Sequence, residues 1–158
     1  VFTGQEKTDL KDFIQKNQEK PIAYLAVKFL KNVTQGDKRI VVVHGKIMGA
    51  SLRLPPKDAW LCNVAMGGQS VPATVDEDEK KIIARINPLL AKLGIVMYGV
   101  DTLVDDNGKR VLSEINTTSI GGILQMEKQQ QQPLAKATTD QICKYIVEKI
   151  NEKNAISN

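Results

Sequence analysis

Residues 96–119 read V-M-Y-G-V-D-T-L-V-D-D-N-G-K-R-V-L-S-E-I-N-T-T-S, and the fold is read outward from them. Two apolar, β-branched runs, Val96 to Val104 and Arg110 to Ile115, flank Asp105, Asp106, Asn107 and Gly108. An Asn-Gly pair between such runs predicts a β-hairpin. A turn centred on Asp106 and Asn107 sets Val104 opposite Lys109 and Asp101 opposite Leu112. Alternation then puts Asp101, Leu112, Glu114 and Asn116 on one side of the sheet. Asp101 and Glu114 become diagonal neighbours, roughly 7–8 Å apart between backbone positions.

Two acids at that spacing repel, so the patch calls for a cation or a proton. Oxygen donors from Asp, Glu and Asn suit Mg²⁺ or Mn²⁺. The same alternation also describes an ordinary solvated hairpin face, and the residues alone leave both readings open.

Composition bounds the rest. At 158 residues, with 42% apolar and 25% charged side chains, the chain has room for one soluble domain with a real core. Its net charge of +4 is compatible with a polyanionic partner. The lysines are scattered, however, and only 4% of residues are aromatic, which leaves little for stacking on nucleic acid. Cys62 and Cys143 have no C-x-x-C spacing, so reduced thiols are expected rather than zinc ligands or a disulfide framework. His44 is the only histidine and falls where a strand meets a turn, which excludes a His-rich metal site. No run approaches a membrane span and no signal peptide is recognised. The chain begins at Val1 without Met, and a piece of a longer protein is expected.

In order along the chain, Val1 to Thr3 read as the tail of a strand. A short helix follows over 8–18, with Thr8 as N-cap and Pro21 past its end. Ile22 to Leu30, interrupted by Lys28, reads as a buried strand. Arg39 to His44 and Ile47 to Leu54 are the next two strands of a meander turning at Gly45 and Lys46. That register places Arg39 near Leu52 and within a residue of Arg53, so the two guanidiniums either meet over an anion or point to opposite faces. Pro56 to Pro72 reads as a long connection carrying the small residues around Gly67 and Gly68, suited to closing over a ligand or to a plain surface loop. Thr74 to Glu77 has capping-box spacing ahead of a helix with Ile82, Ile83, Ile86, Leu89, Leu90 and Leu93 on one face. Pro88 is expected to kink or divide it and Gly94 to stop it. Gln129 to Gln132 reads as a helix end or turn, and Leu134 to Ile150 as a closing helix with Ile142, Tyr145, Ile146 and Ile150 on one face. Residues 151–158 read as a frayed tail of a single domain spanning 1–158.

Taken together, G-D-K-R at 36–39, S-L-R-L-P at 51–55, N-V-A-M-G-G at 63–68, G-V-D at 99–101 and S-E-I-N-T-T-S at 113–119 resemble the ATP-grasp ligases, nearest the bacterial glutathione synthetase branch. The similarity runs in order from Val1 to the region of residue 150. No single motif is specific; their order and gaps are. The resemblance implies an α+β fold, the C-terminal portion of an ATP-grasp unit, with a mainly antiparallel sheet and helices packed on it. It implies that ATP phosphorylates a carboxylate, and that an amine attacks the acyl phosphate to give an amide and ADP, as when γ-glutamylcysteine is joined to glycine.

Matched by motif, Asp101, Glu114 and Asn116 correspond to ligands of Mg²⁺ (or Mn²⁺), and Arg39 and Arg53 to the charges that hold the transferred phosphate and the acyl-phosphate oxyanion. Asp37 corresponds to the ribose contact, and Val27, Lys28 and Leu30 to the adenine hinge. Asn63, Gly67 and Gly68 correspond to the loop that covers the nucleotide, and Thr118 and Ser119 to substrate contacts. The implied partners are small molecules, namely ATP, a carboxylate and an amine, with no nucleic acid and no membrane; a homo-oligomer is left open, and a cytoplasmic location is implied. Phosphoryl transfer depends on positioned cations more than on an acid or base, so the lack of a second histidine is no objection.

The chain departs from the branch at Trp60, Leu61 and Cys62, ahead of Asn63, where an arginine is usual, and at Gln69, where a basic residue often stands. No arginine occurs between Arg53 and Arg85. Two other readings therefore stay open: a ligase for another amino acid or peptide pair, and a non-catalytic nucleotide-binding module. The family's upstream substrate domain, phosphate-binding lysine and glycine-rich loop have no counterpart in these residues, so this chain alone is expected not to turn over.

Overall fold

Ile40, Val41, Val42 and Val43 are apolar at every position, and a strand of that kind is stable only where both of its faces are covered. The computed structural model, which describes residues 7–23, 25, 27–57 and 68–156, covers both. Its strands are β1 (Asp37–Val43), β2 (Lys46–Leu54), β3 (Gln69–Pro72), β4 (Met97–Val104) and β5 (Arg110–Asn116). They form one sheet in the order β3-β2-β1-β4-β5, and each neighbouring pair is antiparallel. The helices are α1 (Lys7–Asn17), α2 (Glu77–Lys92), α3 (Ile123–Gln130) and α4 (Leu134–Ile156). Among the described residues no helix is long and apolar enough to cross a membrane.

Alternation along β1 divides the core. Ile40 and Val42 join Ala50, Tyr98 and Val100 against Ile83 and Leu90 of α2. Val41 and Val43 join Met48 against Met126 of α3 and Leu134 of α4. Each such side chain contributes about 1.5–3 kcal/mol by leaving water, and β1 sits between two cores. On the α3 side that core covers only the Val41 and Val43 end of the strand. Asp37 and Arg39 lie on the same face beyond it, and this division leaves a polar half-face.

Two register shifts aim the strands. Asp105 N–H donates to the Lys109 carbonyl, and Gly108 takes φ 82°, so the β4–β5 loop is one residue longer than a turn on Asp106 and Asn107. Such three-residue loops use a left-handed third position, which glycine accepts without strain. Val104 therefore faces Arg110. A bulge then falls between Asp101 and Thr102, so Thr102 faces Leu112 while Asp101 faces Glu114 directly. The expected diagonal becomes a facing pair, and Leu112 leaves that side of the sheet. On β2 the chain turns at His44 and Gly45, and a shift between Val41 and Val42 sets Arg39 opposite Ser51 and Asp37 opposite Arg53.

The α2 cap moves two residues on from the expected one. Asp76 accepts from the Glu79 N–H at 2.9 Å, and the Glu79 carboxylate accepts from the Asp76 N–H at 3.0 Å, completing a capping box. Glu79 has a second task that the sequence does not announce. Fully buried, it accepts from Lys38 Nζ at 2.6 Å and from the Thr102 hydroxyl at 2.7 Å, while Lys38 also donates to the Thr74 carbonyl at 2.9 Å. Pro88 lies inside α2 without ending it, because the carbonyl it cannot serve belongs to Ala84, on the exposed side. At the far end Ile95 N–H reaches the Leu90 carbonyl and Gly94 N–H the Ala91 carbonyl, the Schellman pattern expected of Gly94. Leu89 and Leu93 are exposed, so the buried stripe is narrower than predicted.

Other expectations are corrected. The described residues of 22–30 form no strand, and Ile22, Leu25, Val27 and Phe29 are exposed. α1 begins at Lys7, which puts Thr8 inside the helix rather than at its cap. β3 emerges from a stretch read as a loop and is an edge strand with no alternation of its own, while α3 ends at Gln130, in keeping with the helix end read for Gln129 to Gln132. α4 continues through 151–156, read as frayed. Val1 to Thr3 lie outside the described residues.

Glu79→Ala takes from buried Lys38 its close carboxylate partner, leaving it Asp76 at 3.9 Å and the Thr74 carbonyl, and should cost roughly 3–5 kcal/mol in urea unfolding of this chain. Pairing it with Lys38→Met should recover most of that loss. A double variant no more stable than the single one would show that the buried charge is not the cause.

Candidate functional site

The polar half-face left by the α3 core collects side chains from every strand of the sheet. Asp37 and Arg39 come from β1, Ser51 and Arg53 from β2, Ser70 from β3, Asp101 from β4, and Glu114 and Asn116 from β5. They share a face because each stands in, or next to, a directly opposed pair: Asp37 with Arg53, Arg39 with Asp101, Asp101 with Glu114, and Arg53 with Ser70.

Asp101 is the hub. Only 5% exposed, it receives Arg39 through both carboxylate oxygens, with Nε on Oδ1 and Nη2 on Oδ2 at 2.7 Å. Arg53 Nη2 reaches Oδ2 at 3.1 Å, and Asn116 Nδ2 donates to the same oxygen at 3.2 Å. Arg53 also donates through Nε to Asp37 Oδ1 at 2.6 Å. Of the two arrangements the sequence allowed, the guanidiniums thus meet over an anion, and that anion is the Asp101 carboxylate, whose Oδ2 receives both. Gly99 makes room for this. A Cβ there would lie 3.2 Å from Arg39 Cδ, so glycine lets the arginine stem lie across β4 on its way to Asp101.

Burial pushes the Asp37 carboxyl above its ordinary pKa, with the Arg53 guanidinium pulling the other way. At Arg53 burial works against the charge, but the hydrogen bond to Asp37 and the Asp101 carboxylate outweigh it and hold the pKa up. Two guanidiniums meet the carboxylates of Asp37 and Asp101, and exposed Glu114 stands opposite Asp101, which leaves an excess of negative charge on this face.

That excess fits a cation. Asp101 and Glu114 supply facing carboxylates, and Asn116, whose Nδ2 is given to Asp101, keeps its amide oxygen as a third hard donor. Among the described residues no group of three His, Cys, Asp or Glu side chains is placed to hold a metal, so the amide would complete the set.

The remaining candidates lie apart from this cluster or outside the described residues. Lys28 Nζ meets Asp106 at 2.7 Å and Lys31 N–H donates to the same carboxylate at 2.9 Å, which ties the segment of Val27, Lys28 and Leu30 to the β4–β5 turn. Thr118 and Ser119 are exposed, just past Asn116. Gly68 leads directly into β3, while Asn63 and Gly67 lie outside the described residues. Sequence reasoning missed Ser51, Ser70 and Gln129, which form one hydrogen-bonded group beside Arg53. β3 was not recognised as a strand, and without it nothing brings Ser70 to Arg53.

Residues 1–131 match the family model described as prokaryotic glutathione synthetase, ATP-grasp domain. The chain is 35% identical over 125 residues to a glutathione synthetase of Parasynechococcus marenigrum strain WH8102, covering 79% of this chain and 39% of that protein. A glutathione synthetase of Prochlorococcus marinus strain MIT 9313 is 35% identical over 126 residues, covering 80% of this chain and 39% of the relative. The chain therefore spans well under half the length of these relatives. Among solved structures, the macrocyclase MdnB from Microcystis aeruginosa MRC superposes with a TM-score of 0.50 at 16% identity, over 88% of this chain and 46% of that one, a likeness of fold.

The raised Asp37 pKa has a consequence for stability. An acid whose folded pKa exceeds its unfolded value favours folding at low pH, and that contribution is lost as pH rises through the folded pKa. Asp37→Asn should therefore gain on the wild type as pH rises from about 4, the unfolded value, toward neutrality. Urea unfolding at several pH values tests this, and a gap that narrows with pH would mean that Arg53 outweighs burial at Asp37.

Proposed function

This chain belongs to the prokaryotic glutathione synthetase ATP-grasp family, and from that premise we propose that it supplies the nucleotide and acyl-phosphate half of an ATP-dependent carboxylate–amine ligase. The reaction is glutathione-synthetase-like: the carboxylate of γ-glutamylcysteine attacks the γ-phosphate of ATP and ADP leaves. The amine of glycine then attacks the acyl carbon, phosphate departs, and the nitrogen gives up a proton. The observation that carries the reading is the facing pair Asp101 and Glu114, with Asn116 beside them and Arg39 and Arg53 on the same sheet face.

Each residue has a part in this reading. Asp101, Glu114 and Asn116 would hold the divalent cation, Mg²⁺ or Mn²⁺. When bound, that cation supplies charge neutralisation to the nucleotide phosphates. Arg39 and Arg53 hold the oxygens of the transferred phosphate and of the acyl phosphate, as fixed donors aimed where negative charge develops. Asp37 holds Arg53 at its Nε, leaving the other end of the guanidinium to turn from Asp101 toward an anion. Thr118 and Ser119 take the acid or the amine. Asp37 as a ribose contact, Val27, Lys28 and Leu30 as the adenine hinge, and Asn63, Gly67 and Gly68 as the covering loop complete the proposal. A cytoplasmic location and small-molecule substrates belong to it as well.

In the full-length protein, Asp101→Asn and Glu114→Gln should each reduce Mg²⁺-dependent ADP release to background. Turnover unchanged in both would falsify the cation assignment. Arg53→Ala should lower kcat by about 10²–10³, the range for loss of one oxyanion donor, while the KM for ATP stays near its wild-type value. Equal losses in the two parameters would make Arg53 a ground-state nucleotide contact instead.

A further inference from the structure

The run Gln129 to Gln132 has the composition of a low-complexity turn, yet Gln129 sits in the last turn of α3 and reaches onto the sheet. Its Nε2 donates to the Ser70 carbonyl at 2.8 Å and to Ser70 Oγ at 3.1 Å, and its Oε1 accepts from Ser51 Oγ at 3.2 Å. The two serine hydroxyls lie 2.5 Å apart. Gln130 adds a bond from its Nε2 to the Ala50 carbonyl at 2.9 Å. The end of α3 is therefore fastened to β2 and β3 side by side.

What it is fastened to matters. Ser70 is the cross-strand partner of Arg53, and Ser51 is the cross-strand partner of Arg39. One amide thus touches the neighbours of both arginines and neither arginine itself. β3 has four residues and, among the described residues, lies at the sheet edge and pairs with β2 alone, the kind of strand that opens most readily. At its other end α3 is joined through residues 117–122, with Thr118 and Ser119, to Asn116 of β5. A link from Gln129 to β3 fixes the span between that segment and Arg53.

We propose that Gln129 is a positioning residue of the ligase site, holding β3, and through it Arg53, in register with the 117–122 segment so that the acyl phosphate meets both. The proposal rests on the ligase reading above. Its contribution belongs to the activated carboxyl group rather than to the nucleotide, since its bonds go to β2, which carries Arg53, and to β3, which pairs with β2 beside Arg53.

The test uses the full-length protein, with ADP release measured for amino-acid and dipeptide carboxylates paired with amino-acid amines. Wild-type turnover is established first; if no pair yields ADP, the ligase reading and this proposal both fall. With a working pair, Gln129→Met should lower kcat by about ten- to a hundredfold, the cost of a small misplacement. The KM for ATP should stay close to the wild-type value. Gln129→Glu keeps the shape and the acceptor while removing both amide donors to Ser70, so it should show the same split even if the Met variant folds poorly. In a double-mutant cycle, Gln129→Glu on an Arg53→Lys background should cost far less than it does alone, because a displaced arginine is displaced only once. Additive losses, unchanged turnover, or a rise in the KM for ATP matching the fall in kcat would each overturn the proposal.

Discussion

The register between β1 and β4 is the constraint on which the rest depends, and ion pairs on both faces of the sheet hold it. On one face Arg39 meets its directly opposed partner Asp101; on the other, Lys38 and its opposed partner Thr102 both bind the buried Glu79 carboxylate. Consecutive residues thus make opposite commitments. A slip of one residue would send Arg39 into the α2 core and Lys38 onto the polar half-face, since side chains alternate with every step. The Lys38 and Glu79 pair is weak as a source of net stability, because two charges have been taken from water. Its worth lies in what it forbids: any register in which a charge is buried alone.

Seen from this register, the half-face is where the hydrophobic cover runs out. Met126 and Leu134 extend over Val41, Val43 and Met48, and the next positions along the same face are Arg39 and Asp37. The change from valine to charge within β1 therefore sets the boundary between the α3 core and the cluster. Bulges on either side of the central β1–β4 pair turn side chains toward that boundary, Met48 into the core and Glu114 to a place opposite Asp101.

The sequence carried the elements better than their registers. Apolar runs around His44 and Asn107 are long enough to identify β1, β2, β4 and β5, and the acids and amide of the candidate site were legible because Asp101, Glu114 and Asn116 alternate on a hairpin. The bulges were not, since a single extra residue changes no composition and its location depends on tertiary packing. Ile22 to Leu30 went wrong for a related reason. Its apolarity matches a buried strand, but Ile22, Leu25, Val27 and Phe29 are exposed, and hydrophobicity alone does not say which surface will cover a segment. β3 was illegible because four edge residues that follow Gly68 and end in Pro72 have no periodicity to read. The Gln129 contacts vanished with it.

The polar cluster also bears on how the proposed ligase could bind its charged ligands. Asp101 Oδ2 already receives Arg39, Arg53 and Asn116, and Arg53 is shared with Asp37. An anion that draws Arg53 away from Asp101 takes a guanidinium hydrogen bond from that carboxylate, which then needs another positive partner. In a site this sheltered, an uncompensated carboxylate costs more than the arginine gains. Anion and cation are for that reason expected to enter as a pair, with Asp101 passing from arginine to cation as Arg53 passes from Asp101 to phosphate. In that reading the exposed carboxylate of Glu114, opposite Asp101, would add the negative charge that favours holding the cation.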